Sequence, residues 1–291
     1  VKEEDFIPFQ TSDIPEGPYL VFSPHPDDEA FGMGGTIALA AQQKIDVHVA
    51  VLTDGSQQGS SEERKAEARA AASVLGITQI DFWDIKDREL NKANLLELGF
   101  LQLIENVKPK CVFIPSSLEY HPDHRAAHIL LLEALDQTGY RDKIWAYEIT
   151  RHGEANHLID ITSVFETKKK AITCFKSQLL KRNYLDFTVA LNRSRALTLP
   201  ETVMYAEAFL SLEKEKALLD IEFGTRKYLM DASGSKKQPL VSVIVRTKDR
   251  PHLLTQALIS IADQTYPKME TIVINDGGCD VIDIIEKFRQ E

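Results

Sequence analysis

Cysteine, positive charge and long apolar runs are all scarce in this chain. Of 291 residues, three are cysteine (Cys111, Cys174 and Cys279), an odd number with no metal-binding spacing. This excludes a disulfide framework and a thiolate zinc site, and points to buried or free thiols in a reducing, cytoplasmic setting. No run of about 20 apolar residues occurs, so no transmembrane segment is expected. The first residues, Val1-Lys2-Glu3-Glu4-Asp5, are charged and lack the apolar core of a signal peptide. Lys and Arg number 34 against 44 Asp and Glu, a net charge of −10. Phosphate contacts need a basic face, so no nucleic-acid partner is expected. The 43% hydrophobic content is enough for a sizeable core, and the length suits one large domain plus part of another.

Strand and helix patterns alternate along the first two thirds. Strands are expected at Tyr19–Ser23, Asp46–Thr53, Ile80–Trp83, Cys111–Ile114 and Lys143–Ile149, and helices at Glu29–Gln43, Ser61–Leu75, Leu95–Val107 and Asp123–Leu135. Ser60 and Glu63 fit a capping box for the second helix. From Thr162 to Leu180 and from Pro200 to Leu219 the pattern is helical. Strands separated by helices predict a Rossmann-like parallel sheet with helices on both faces. Gly32-Met33-Gly34-Gly35 fails the dinucleotide-binding spacing, and its glycines are expected to allow close packing on the sheet.

Two strings carry the chemistry: His25-Pro26-Asp27-Asp28 and His121-Pro122-Asp123-His124. Each follows an expected strand, and the carboxyl ends of parallel strands line one edge of a sheet. His25, Asp28 and His124 make a two-histidine, one-carboxylate set suited to Zn2+, and Fe2+ takes the same donors. Asp27 is then a candidate base and His121 a candidate acid for amide hydrolysis. His128 follows His124 by one helical turn and is expected to pack or to support the ligands from behind. His48, His152, His157 and His252 are expected to be structural.

Residues Ser23 to Ala30, His121 to His124, Leu52-Thr53-Asp54-Gly55, Arg64 with Glu67, Leu75-Gly76 and Tyr205 to Phe209 resemble the LmbE/PIG-L family of zinc-dependent N-deacetylases. The resemblance runs from about residue 17 to residue 222. It implies removal of an acetyl group from an N-acetylated amino sugar or glycoconjugate. It also implies that His25, Asp28 and His124 bind zinc, that Asp27 is the base, and that His121 is the acid and oxyanion partner. Asp123 would orient His121 and support its charged form. Arg64 and Asp87 lie where the family pattern has sugar-contacting residues, although Asp87-Arg88 stands where the family often has Asp-Gly. Tyr120 is a further candidate sugar contact.

The tail changes character. Residues 224–239 read as a linker, with Asp231 to Pro239 small, polar and charged. A second strand–helix–strand–helix pattern follows: Leu240–Val245, Arg250–Gln264, Glu270–Ile274 and Val281–Arg289. Val241 to Arg250, Gln264-Thr265-Tyr266-Pro267 and Asn275-Asp276-Gly277-Gly278 resemble the opening of a family 2, GT-A glycosyltransferase. That resemblance puts Asp249 and Asp276 near the nucleotide of a sugar donor.

The expected organisation is a deacetylase domain at 1–223, a linker at 224–239 and a small α/β fragment at 240–291. The expected activity is zinc-dependent N-deacetylation in glycan assembly, by an enzyme for which a homo-oligomer is compatible. The alternatives are an amide hydrolase acting on another acylated sugar conjugate, and a non-catalytic sugar-binding module.

Overall fold

The computed structural model describes residues 7–212, 240–262, 264, 266 and 268–288. The chain divides into two compact units, residues 1–221 and 222–291. Residues 224–239, expected to form a linker, lie outside the described residues.

The first unit is built on a seven-stranded sheet. Its strands are β1 (Tyr19–Ser23), β2 (Val47–Thr53), β3 (Gln79–Ile85), β4 (Cys111–Pro115), β5 (Lys143–Tyr147), β6 (His157–Asp160) and β7 (Ala206–Ser211). They lie in the order β3-β2-β1-β4-β5-β7-β6. The first five are mutually parallel, whereas β7 runs antiparallel to both β5 and β6. Successive residues of β1 alternate between the two sides. Tyr19 and Val21 join one buried cluster with Val49, Phe113 and Phe209, and Leu20 and Phe22 join the other with Leu52, Val112 and Ile114. Helices α1 (Asp28–Gln42), α2 (Ser61–Leu75) and α6 (Phe165–Ile172) contribute to the first cluster. Helices α3 (Lys92–Glu97), α4 (Phe100–Val107) and α5 (Pro122–Thr138) contribute to the second. Helices therefore cover both faces of the central strands, as parallel connections require. Truncating Phe113 to Ala would cost about 3–5 kcal/mol.

Three local expectations fail for physical reasons. The segment from Leu95 to Val107 is two helices, because Gly99 adopts φ 92° between them. Ser60 stands at the N-cap of α2, but its side chain makes no capping hydrogen bond. Part of the Pro200–Leu219 stretch is strand β7, where alternation places Glu207 and Phe209 away from Ala206 and Ala208. The helix propensity of Ala and Glu yields there to pairing with β5 on one side and β6 on the other. The elements α7 (Lys176–Leu179), α8 (Tyr184–Arg195) and β6 complete the unit.

Glu207 ties β7 to the first helix. Helix α1 breaks at Met33, whose φ of −139° and ψ of 22° are not helical. The Glu207 carboxylate accepts from Gly35 N (2.7 Å), Thr36 N (2.7 Å) and Thr36 Oγ1 (2.6 Å), and pairs with the buried Lys168 ammonium at 2.6 Å. The break is thereby satisfied without water. At Gly32, a Cβ would come within 2.6 Å of Glu148 O, so the N-terminal half of α1 lies hard against β5.

The second unit contains β8 (Val241–Thr247), α9 (Pro251–Ala262), β9 (Met269–Asn275) and α10 (Ile282–Phe288), with β8 and β9 parallel. Leu254, Leu258 and Val281 form its core, and Ile244, Ile272 and Ile274 remain exposed.

Candidate active site

Strands β1 and β4 are neighbours, and the chain leaves them toward opposite sides of the sheet. That is the switch point of a doubly wound sheet, where a crevice opens at the carboxyl ends. The loop 24–27 leads from β1 into α1, and the loop 116–121 leads from β4 into α5. Thr53, at the end of β2, holds the first loop by donating from N (2.9 Å) and Oγ1 (2.8 Å) to Pro24 O.

The two strings meet there. His25 Nδ1, Asp28 Oδ2 and His124 Nε2 form a triangle with each side 3.1 Å. All three residues are buried. The spacing is close to the ~3.4 Å edge of a tetrahedron with ~2.0–2.1 Å from centre to ligand. Two imidazole nitrogens and one carboxylate oxygen facing a single point fit a divalent metal. The ring nitrogens of His25, His121 and His124 also lie within 4.8 Å of one another, as do donor atoms of His25, Asp87 and Asp123. Asp87 and Asp123 already accept from backbone N–H groups, and the Asp28 triangle is tighter, so His25, Asp28 and His124 fit better.

Charge in the cluster points the same way. Burial opposes protonation of His25, yet hydrogen bonds with Asp123 and Asp28 raise it to about 10. His124 is likewise opposed by burial and raised by Asp28 to about 9. Burial opposes ionisation of Asp28, but the two imidazoles hold it well below the usual carboxylate range. The cluster draws positive charge, and a metal would compete with those protons.

Asp27 stands at the N-cap of α1, where an Asp side chain ordinarily caps. It does not; its φ of 152° turns the residue into a region that L side chains rarely adopt. Such strain costs about 1–3 kcal/mol and clusters at functional sites. Its Oδ2 accepts from Arg64 Nη2 at 2.9 Å, and the residue lines a cavity of about 140 Å³ with His25, Asp28, His121 and His124. Burial raises Asp27 to about 6, with Arg64 opposing.

His121 is half-exposed, with its ring centroid 4.5 Å from that of His25 and 5.2 Å from that of His124. The Asp123 N–H donates to His121 Nδ1 at 3.2 Å, which assigns the ring proton of neutral His121 to Nε2. Burial and the neighbouring imidazoles lower His121. Asp123 was expected to orient His121 and support its charged form; its Oδ2 lies 3.8 Å from His121 Nδ1 and favours protonation of that ring, against burial and the neighbouring imidazoles. The same carboxylate is closer, 3.2 Å, to His25 Nε2 and accepts from Arg88 N at 3.0 Å. It therefore orients His25 and leaves Nδ1 of that ring to face Asp28, the arrangement found behind metal-bound histidines.

The other expected substrate contacts fall differently. Arg64 is 2% exposed and donates to Gly55 O (2.9 Å) and Pro26 O (3.1 Å) as well as to Asp27, so its terminal nitrogens are engaged within the protein. Asp87 lines the cavity, but its carboxylate accepts from Gly55 N and Gln57 N, each at 3.0 Å, and so holds the loop after β2. Tyr120 is 67% exposed, is not among the cavity-lining residues, and has the Arg151 guanidinium 5.3 Å from its ring centroid. His128 donates from Nδ1 to Pro115 O at 2.8 Å and packs, as expected.

Glu119 escaped the sequence reading. It is buried, accepts from Ile149 N at 2.7 Å and Thr150 Oγ1 at 2.5 Å, and lies 3.7 Å from His124 Nδ1. Its signal was an acidic residue two places before His121.

Comparison with known proteins agrees with this geometry. The sequence profile of the PIG-L (GlcNAc-PI de-N-acetylase) family matches residues 20–135. The diacetylchitobiose deacetylase of Thermococcus kodakarensis is 31% identical over 184 residues, covering 55% of this chain and 69% of that protein. The chain belongs to the PIG-L family. A second relative, the 4-oxalmesaconate hydratase of Pseudomonas putida, is 28% identical over 235 residues, covering 68% of this chain and 90% of its own. Among solved structures, the conserved protein TT1542 from Thermus thermophilus superposes with a TM-score of 0.61 at 27% identity, covering 66% of this chain and 93% of that one. The mostly parallel sheet with helices on both faces is the arrangement seen there.

Proposed function

We propose that this PIG-L site hydrolyses the N-acetyl group of an N-acetylated amino sugar or glycoconjugate, with Zn2+ held by His25, Asp28 and His124. Fe2+ suits the same donors. The observation that carries the reading is the 3.1 Å triangle of donors in one cavity with an uncapped Asp27 and with His121. A metal bound there supplies Lewis acidity and acidifies water. Asp27 takes the proton of the attacking water, and its pKa of about 6 suits a base near neutral pH. Arg64 fixes that carboxylate in place. Neutral His121 donates from Nε2 to the amide oxygen as negative charge builds on it. Protonated Asp27 then returns the proton to the departing amine. The cavity is smaller than the ~300–1,000 Å³ of sites that enclose a whole small molecule, so it takes an acetamido group and leaves the rest of the substrate outside.

The test is acetate release from N-acetylhexosamine glycosides and nucleotide sugars by the metal-loaded protein beside Asp27→Asn. A loss of about 10²–10⁴-fold with metal retained is expected. Full activity of Asp27→Asn would remove Asp27 as the base. Absence of acetate with stoichiometric metal would turn attention to another acyl group. The hydratase relative favours a second reading, water addition to a conjugated acid, which loss of ultraviolet absorbance would reveal.

For the second unit we propose the opening of a GT-A glycosyltransferase-like fold in a cytoplasmic protein. The support is its strand–helix–strand–helix order, with Asp249 and Asp276 beyond the carboxyl ends of parallel β8 and β9. Binding of a uridine diphosphate sugar that Asp249→Asn does not weaken would remove this reading.

A further inference from the structure

Arg88 lines the same cavity as His25, His121 and Asp87, yet differs from the other charged residues around it. It is exposed. Among the described residues its guanidinium has no hydrogen bond or ion pair, although Asp87 and Asp123 are close by and accept from backbone N–H groups. Arg64, the other arginine at the cavity, is buried and bonded through both terminal nitrogens.

The backbone sharpens the contrast. Arg88 adopts φ 68°, a left-handed conformation that L side chains disfavour and glycine takes freely. Its N–H donates to both oxygens of Asp123 at 3.0 Å, which ties the loop to the site. That bond needs only a backbone. A glycine at 88 would make it with less strain, so nothing in the loop itself calls for a guanidinium. A side chain held against its backbone preference at a cavity, with no internal partner, has its use outside the protein.

A guanidinium presents a planar fork of donors that matches carboxylate and phosphate oxygens two at a time. The cavity of about 140 Å³ takes only one substituent of the substrate, so the remainder lies at the rim where Arg88 stands. We propose that Arg88 is a specificity-determining residue that recognises an anionic group, phosphate or carboxylate, elsewhere on the substrate. This rests on the deacetylase reading and narrows it to N-acetylated sugars carrying a negative charge.

The experiment compares kcat/KM for three substrates: methyl N-acetylglucosaminide, N-acetylglucosamine 1-phosphate and N-acetylglucosaminuronate. The metal-loaded full chain is measured beside Arg88→Gly and Arg88→Lys. Arg88→Gly keeps the N–H and fits the backbone, so it changes the side chain alone. The wild type should favour one anionic substrate over the neutral one. In Arg88→Gly that ratio should fall by about 10- to 100-fold, mainly through KM, and Arg88→Lys should restore part of it. Which anionic substrate shows the effect separates phosphate from carboxylate. A loss shared equally by all three substrates would mean that Arg88 only shapes the loop, and an unchanged ratio would mean that it recognises nothing; either overturns the proposal. If the wild type releases no acetate, the deacetylase reading fails separately. Calorimetric binding of glucosamine 1-phosphate and glucosamine then decides the matter. A preference for the phosphate that Arg88→Gly abolishes supports recognition, and equal binding to both proteins overturns it.

Discussion

Asp28 and His124, in the wall of the cavity, are each 4% exposed, and both take part in the 3.1 Å triangle. Arg88, at its rim, is exposed, and its guanidinium meets no partner among the described residues. The wall is over-determined: Asp123 orients His25, Arg64 holds Asp27, and Glu207 secures the broken helix that carries Asp28. Groups fixed by several buried neighbours need no rearrangement during a reaction, which is where electrostatic catalysis gains most. The rim has no such support, and an unsupported charge is free to meet a ligand. The difference suggests a division of labour in which the wall activates water and the rim selects the molecule.

The largest effect that would break this comparison lies in the wall. His124→Gln removes one of three donors, and Glu119→Gln removes only the charge 3.7 Å behind it. Loss of an outer partner costs about 10- to 100-fold in metal affinity, so loss of the ligand itself should exceed about 10³-fold. Competition with a chelator of known affinity measures both. Equal affinities for His124→Gln and the wild type would remove His124 from the metal set. An unchanged affinity in Glu119→Gln would show that Glu119 serves only to hold residues 149 and 150.

The order of those effects tracks what was readable in the chain. The five parallel strands were legible because β1, β2 and β4 are buried on both faces and the apolar runs are short and bounded. The two His-Pro-Asp strings were legible as candidate ligand and acid/base residues because each packs its chemistry into four positions after a strand. Their mutual contacts were not. Position 123 could be assigned to His121 by proximity in sequence, and the fold also brings its carboxylate to His25, 98 residues away. Arg64 and Asp87 read as candidate sugar contacts, and only tertiary structure shows them bonded to the loops they hold. Strand β7 was missed because Ala206-Glu207-Ala208 is good helix sequence, and its strand character comes from pairing with β5 and β6. The left-handed turn at Arg88 was half visible: the glycine of the family pattern marks the backbone requirement, and the arginine is what departs from it.

The smallest effect sharpens the comparison within a single helix. His124 and His128 are one turn apart on α5, and both are buried. The carboxylate of Asp28 raises His124, whereas burial with only Pro115 O as partner lowers His128 from 6.5 to about 4. A group whose folded pKa is depressed below its unfolded value, and which is charged when protonated, stabilises the fold while neutral in both states. For His128 that contribution is present above about pH 6.5 and is lost as pH falls through about 4. The shift corresponds to ~3 kcal/mol across that window. His124, raised to about 9, stays protonated in both states below about pH 5.5 in metal-free protein, so it adds little slope there. Urea unfolding of the metal-free wild type and of His128→Gln between pH 4 and 7 should therefore converge toward acid, since Gln does not titrate. Parallel curves across the window would mean that His128 is protonated in the fold, and that α5 carries two charged histidines rather than one.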